Sequence, residues 1–155
     1  MSEIPFARFI VIPSFSKEYA FSIEKKNEEY FVVSITPSES YWRAKNKKNV
    51  KFESKKLKID KKFYSKISHL FQLLAKQTKS YDNEIYSTDG ETYYFITADN
   101  NGKTKTGKIW TPTNNSLMGN LIKISNNLFS IGNGNYISVS EINSEIDKLV
   151  IELEK

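Results

Sequence analysis

A single histidine, His69, and the absence of cysteine bound the chemistry that this chain of 155 residues could carry out. Without cysteine there is no disulfide, no thiolate nucleophile and no thiolate-ligated zinc or iron–sulfur centre. A lone histidine cannot build a histidine-rich metal cluster, and at helical spacing it shares the polar side with Lys62 and Lys76, where a solvent-facing residue is expected. The carboxylate pairs Glu28/Glu29 and Asp82/Glu84 fall in connectors, and Asp82-Asn83-Glu84 fits no calcium-loop spacing. Ser14 to Lys17, Ser22 to Lys25 and Lys105-Thr106-Gly107 mimic fragments of a serine-acylation signature, but neither serine opens a helix and the S-D-N element is missing. Gly132-Asn133-Gly134 lacks phosphate-loop spacing and reads as a turn. The expectation is therefore no metal, no cofactor and no catalytic residue. Acid–base chemistry by Lys, Tyr, Asp or Glu in a cleft is the one enzymatic route left open.

Two groups of residues remain as candidates for binding. The net charge of +5 is unevenly spread: residues 1–80 hold 17 basic against 8 acidic side chains, residues 81–155 hold 6 against 10, and residues 43–62 alone carry a net +8. Trp42, Arg43, Lys45, Lys47, Lys48, Lys51 and Lys55 form a basic ribbon that would attract an acidic partner. The competing reading is a solvated edge strand whose lysines discourage pairing with other chains. An AT-rich coding bias accounts for part of the basicity as well, since 21 of the 23 basic residues are lysine. The second group is an aromatic hairpin containing Asp89, Tyr93, Tyr94, Lys108 and Trp110. Alternation requires either Tyr93 with Phe95 or Tyr94 with Ile96 to face away from the core, so one tyrosine is free to anchor a partner. Cross-strand packing explains the same aromatics without a partner.

The elements that must position these residues follow from periodicity and turn chemistry. Phe6 to Ile12, Tyr19 to Glu24 and Phe31 to Ile35 read as strands, the last two joined by the polar connector Lys25 to Glu29. Tyr41 to Ala44 and Val50 to Ile59 read as extended. In the latter, Val50 and Phe52 fall out of phase with Leu57 and Ile59, so a bulge near Ser54 to Lys56 is expected. Asp60 is a candidate N-cap for a helix to about Lys79, on which Phe63, Ile67, Leu70, Phe71 and Leu74 make one stripe. Tyr81 to Asp89 reads as a loop. Glu91 to Ala98 and Lys105 to Thr111 form a hairpin around Asn100-Asn101-Gly102-Lys103. Asn114, Asn115 or Ser116 caps a helix carrying Leu117, Leu121, Ile124 and Leu128. After a short extended piece, Tyr136 to Val139, a capping box at Ser138 to Glu141 opens a last helix with an acidic outer face.

Strand clusters followed by helices predict one α+β domain over residues 1–155. It consists of an antiparallel sheet of about five to seven strands, with two or three helices on one face. The longest apolar runs are far shorter than a bilayer crossing, and the first residues lack a secretory signal, so a soluble cytoplasmic protein is expected.

The pattern Asp89-Gly90-x-x-Tyr93-x-Phe95, a polar hairpin, then Gly107-Lys108-x-Trp110-x-Pro112 and a helix resembles that of small bacterial proteins with a β-rich first half. The resemblance spans about residues 8–130. It implies an α+β domain and carries no activity and no site residue onto this chain.

The functional expectation is a non-catalytic protein-binding module, such as an immunity or inhibitor protein, that docks an acidic partner by charge complementarity. The alternative is nucleic-acid binding, with Tyr41, Trp42 and Arg43 stacking on bases while lysines meet phosphates; the presence of only two arginines, Arg8 and Arg43, counts against it.

Overall fold

The computed structural model describes residues 6–77, 89–99 and 101–155. Six strands, β1 (Arg8–Pro13), β2 (Tyr19–Lys26), β3 (Glu29–Pro37), β4 (Phe52–Ile59), β5 (Glu91–Ala98) and β6 (Thr104–Trp110), form one sheet in the order β4-β3-β2-β1-β5-β6. Every neighbouring pair is antiparallel. Three helices follow from the capped stripes: α1 (Lys61–Gln77), α2 (Leu117–Gly132) and α3 (Val139–Leu153). This is the expected α+β architecture. Among the described residues, no helix is long and apolar enough to cross a membrane.

The caps sit where the side-chain chemistry places them. Asp60 Oδ1 accepts from Phe63 N at 2.8 Å, Ser116 Oγ from Gly119 N at 3.0 Å and Ser138 Oγ from Glu141 N at 3.3 Å. The connector between β2 and β3 is tighter than expected, because the strands run to Lys26 and from Glu29. Only Asn27 and Glu28 turn, both at positive φ as a two-residue hairpin demands.

The helices cover one face of the sheet. Phe9, Val11, Phe21, Ile23, Val32, Tyr93 and Phe95 point into the core, where they meet Phe63, Ile67, Leu70 and Phe71 of α1 and Leu121, Ile124 and Leu128 of α2. α3 packs against α1 and α2. Phe9 is fully buried, with ring centroids of Phe21, Tyr93 and Phe95 within 5.2–5.9 Å. α2 approaches β3 so closely that a Cβ on Gly132 would lie 2.2 Å from Ser34 Oγ; Ser34 Oγ instead donates to Phe129 O at 2.6 Å.

Three local expectations are corrected. Tyr41 to Ala44 is a turn, closed by Ala44 N donating to Ser40 O at 2.9 Å. β4 pairs with β3 in unbroken register from Tyr30↔Ile59 to Pro37↔Phe52, with no bulge at Ser54 to Lys56. None is needed: Glu53, Lys55, Leu57 and Ile59 face the helix side, Phe52 faces the opposite side, and Val50 lies before the strand. The extended piece stops at Ser138, whose backbone is extended, because α3 already begins at Val139. The loop expected from Tyr81 lies outside the described residues except at Asp89, as does Asn100 of the β5–β6 turn.

Candidate partner-binding surface

Antiparallel pairing brings three distant segments to one end of the sheet: residues 14–18 between β1 and β2, residues 38–51 between β3 and β4, and the start of β5 beside the end of β6. The long 38–51 loop is pinned at several points. Glu18, at the start of β2, accepts from Ser40 Oγ at 2.8 Å, from Tyr41 N at 3.0 Å and from Trp42 N at 3.1 Å. Ser38 N donates to Lys51 O at 2.7 Å, and Lys51 N to Ser38 Oγ at 3.1 Å. A 3₁₀ turn at Lys47–Asn49 is capped by Asn46 Oδ1, and Val50 is buried as an apolar anchor.

Pinning the loop holds large aromatic rings in water. Phe15 is 76% exposed, Trp42 65%, Phe52 58% and Tyr41 38%. Cations from the same loop ride on them. The Lys47 ammonium lies 5.2 Å from the Tyr41 ring centroid and 5.0 Å from that of Trp42, and the Arg43 guanidinium lies 5.8 Å from that of Phe15. Tyr41 and Phe52 bring their centroids to 6.0 Å. Such contacts restrict long side chains before any partner arrives.

Of the basic ribbon, the loop therefore gathers Trp42, Arg43, Lys45, Lys47, Lys48 and Lys51, all exposed. Lys55 does not join them. It projects from the helix-facing side of β4 and pairs with Glu53 at 3.6 Å. Beside the loop, on the sheet face away from the helices, a groove of about 430 Å³ is lined by Glu24, Val33, Ile35, Phe52, Ser54 and Lys56. A second, of about 400 Å³, runs past Phe52 between Lys17 and Lys51.

The aromatic hairpin lies at the same end but on the far side of the sheet. Phe52 on β4 and Trp110 on β6 are five strand spacings apart, roughly 24 Å. Tyr93 is only 6% exposed; it stacks on Phe9 in the core, and its hydroxyl donates to Glu91, so it is out of reach of a partner. Tyr94 is the tyrosine facing away from the helices, opposite Lys108, and Trp110 shares that face. Asp89 is exposed beside Gly90, whose carbonyl accepts from Ser14 N at 3.0 Å and Ser14 Oγ at 2.6 Å. Those bonds tie the β1–β2 loop to the hairpin.

Phe15, Glu18 and Phe52 belong to the surface without having been singled out in the sequence. An apolar Phe15 inside the polar stretch Ser14 to Lys17 was the available signal. Phe52 was masked by its alternation with Val50, and Glu18 by the 22–24 residues that separate it from its partners.

Titratable groups near this end do not form a reactive set. Burial, and then the charge of Glu91, push the Tyr19 phenol up to about 12; burial and the Glu91 hydrogen bond also push up Tyr93. Both are held protonated at neutral pH. Neither groove is lined by Asp89, Tyr93 or Lys108. His69 Nε2 lies 3.1 Å from Glu154 Oε1, both half exposed, and no group of three or more His, Cys, Asp or Glu is gathered among the described residues. Compared with protein-family models, curated proteins and solved structures, the chain has no significant match.

Proposed function

We propose that the chain is a non-catalytic, cytoplasmic protein-binding module of the immunity or inhibitor kind, and that it docks an acidic protein through the 38–51 loop and the adjoining Phe15 and Phe52. The observation that carries this reading is the exposure of Tyr41 and Trp42 on a hydrogen-bonded loop that also holds Arg43 and four lysines, with Phe15 and Phe52 exposed beside it. Trp, Tyr and Arg supply most hot-spot energy in interfaces, and surrounding lysines steer an acidic partner into the encounter. The loop is pinned beforehand by Glu18, which lowers the ordering cost of association. Nucleic acid fits less well. Lys47 and Arg43 lie over the rings of Tyr41, Trp42 and Phe15 that bases would stack on, and Arg43 is the loop's sole arginine.

Affinity capture from the native host, followed by calorimetry with the purified captured protein, tests the reading. An acidic protein should bind, and Trp42→Ala and Lys47→Glu should each weaken it. Tighter binding of mixed oligonucleotides at moderate salt, or capture indifferent to both substitutions, would overturn it.

A further inference from the structure

An antiparallel sheet with helices on one face ordinarily presents polar residues on the other. β3 does not. Val32 lies in the core and Ser34 bonds to α2, so Phe31, Val33, Ile35 and Pro37 turn to the opposite face, and all four are apolar. The chain covers one end of that strip itself: the Lys56 ammonium lies 4.9 Å from the Phe31 ring centroid. Val33 and Ile35 remain as the floor of the groove of about 430 Å³, with Glu24 on the β2 side and Phe52, Ser54 and Lys56 on the β4 side. Register makes the hollow. Ser54, the smallest side chain of β4, stands opposite Ile35, between the longer Phe52 and Lys56.

Phe52 is the ridge that divides this groove from the second one. Its side chain is largely exposed and is propped by Tyr41, their ring centroids 6.0 Å apart. On the other side of the ridge, Lys17 and Lys51, both exposed, border the groove of about 400 Å³. The reciprocal hydrogen bonds between Ser38 and Lys51 hold that border in place. Glu53 is the one acidic residue lining it, and its carboxylate lies 3.6 Å from the Lys55 ammonium. Two ammonium groups against one carboxylate favour an anionic guest.

We infer that the two grooves together read one element of an acidic partner: an apolar side chain seated on Val33 and Ile35 and, across the Phe52 ridge, a carboxylate between Lys17 and Lys51. The inference rests on the docking of an acidic protein proposed above and names what that protein presents. Along β3 the two groove centres, at Ser34 and Pro37, are roughly 10 Å apart, which is two to four residues of an extended segment. Either groove alone would accept any apolar group or any anion. The fixed spacing of the two supplies the discrimination.

Selection of random displayed peptides on the immobilised full chain tests the inference. Selected peptides should carry Asp or Glu at that spacing from Leu, Ile, Met or Phe, and replacing either residue by Ser should weaken binding about tenfold by fluorescence anisotropy. Ser54→Tyr fills the first groove from an exposed strand position, and Lys17→Glu with Lys51→Glu reverses the charge of the second; each change should cost about tenfold in affinity. A peptide whose carboxylate is exchanged for Lys should regain binding to the charge-reversed chain, a rescue that a folding defect would not give. No selected peptide, selected peptides lacking either residue, or binding indifferent to the groove variants would overturn the inference. The docking proposed above is judged separately, by the loss of the captured protein's affinity with Trp42→Ala and Lys47→Glu, since neither residue lines a groove.

Discussion

The backbone N–H of Trp42 donates to Glu18 Oε1 at 3.1 Å, so the most exposed tryptophan of the chain is held in place by a carboxylate from a different loop. Burial alone would raise the Glu18 carboxyl. Hydrogen bonds from its own backbone and from Ser40, Trp42 and Tyr41 outweigh that and hold it below the ordinary 4.5. Since the folded value is the lower one, this contribution to stability is complete above the ordinary value and is lost as pH falls through the folded one. Fluorotryptophan NMR, which separates Trp42 from Trp110, should show Trp42 becoming mobile over that acid range. Glu18→Ala should make it mobile at neutral pH, at a cost of about 1 kcal/mol in global stability.

Lys47 and Lys55 separate the loop from the ribbon as a whole. Lys47 lies on the rings of Tyr41 and Trp42, whereas Lys55 faces the other side of β4 beside Glu53. Lys47→Glu should slow association with an acidic partner by roughly tenfold at low salt, and Lys55→Glu should change it much less. Stopped-flow association rates measured across ionic strength would decide between a local patch and a diffuse positive field.

Gly90 precedes β5 and packs against the end of β6. Its φ is +143°, and a Cβ there would lie 2.6 Å from the Trp110 ring. Gly90→Ala should therefore destabilise by about 1–3 kcal/mol through backbone strain and displacement of that ring. Urea unfolding would measure it, and adding Trp110→Ala should recover only the part due to the ring, leaving the backbone strain and the close approach to Thr111 Oγ1, 2.7 Å from that Cβ.

Alkaline pH should loosen the core beside Phe9. The Tyr19 phenol, which donates to Asn126 Oδ1 at 2.8 Å, is pushed up from 10.0 to about 12, mainly by burial. A raised folded value means that its contribution is complete below pH 10 and disappears as pH climbs toward 12. Tyr19→Phe should make the urea midpoint fall less steeply over that interval, and an unchanged slope would show that the phenol stays solvated.

Much of the fold was legible before any coordinates. Phe63, Ile67, Leu70 and Phe71 recur on a helical stripe, and Asp60, the run Asn114 to Ser116 and Ser138 announce the three helix starts, because caps and stripes depend on residues within a turn or two of one another; the structure selects Ser116 from that run. The Asn-Gly turn and the alternation through β1 and β2 are local in the same way.

Which side of a strand met the helices was a different matter. Tyr93 and Tyr94 are chemically equivalent in an alternating pattern, and only the register of β5 on β1, with Phe9 opposite Phe95, sends Tyr93 inward. Phe52 likewise looked like core until β3 fixed its side. The basic residues were visible as a run, but their division into a loop patch and a separate Lys55 came from strand direction. The grouping of Phe15, Glu18, Trp42 and Phe52 required β2 to lie between β1 and β3, which places loops far apart in sequence at one end of the sheet. Short-range chemistry thus determined the elements from sequence alone. The surface they build was decided by long-range pairing, whose free energy is shared across many residues and written in no single motif.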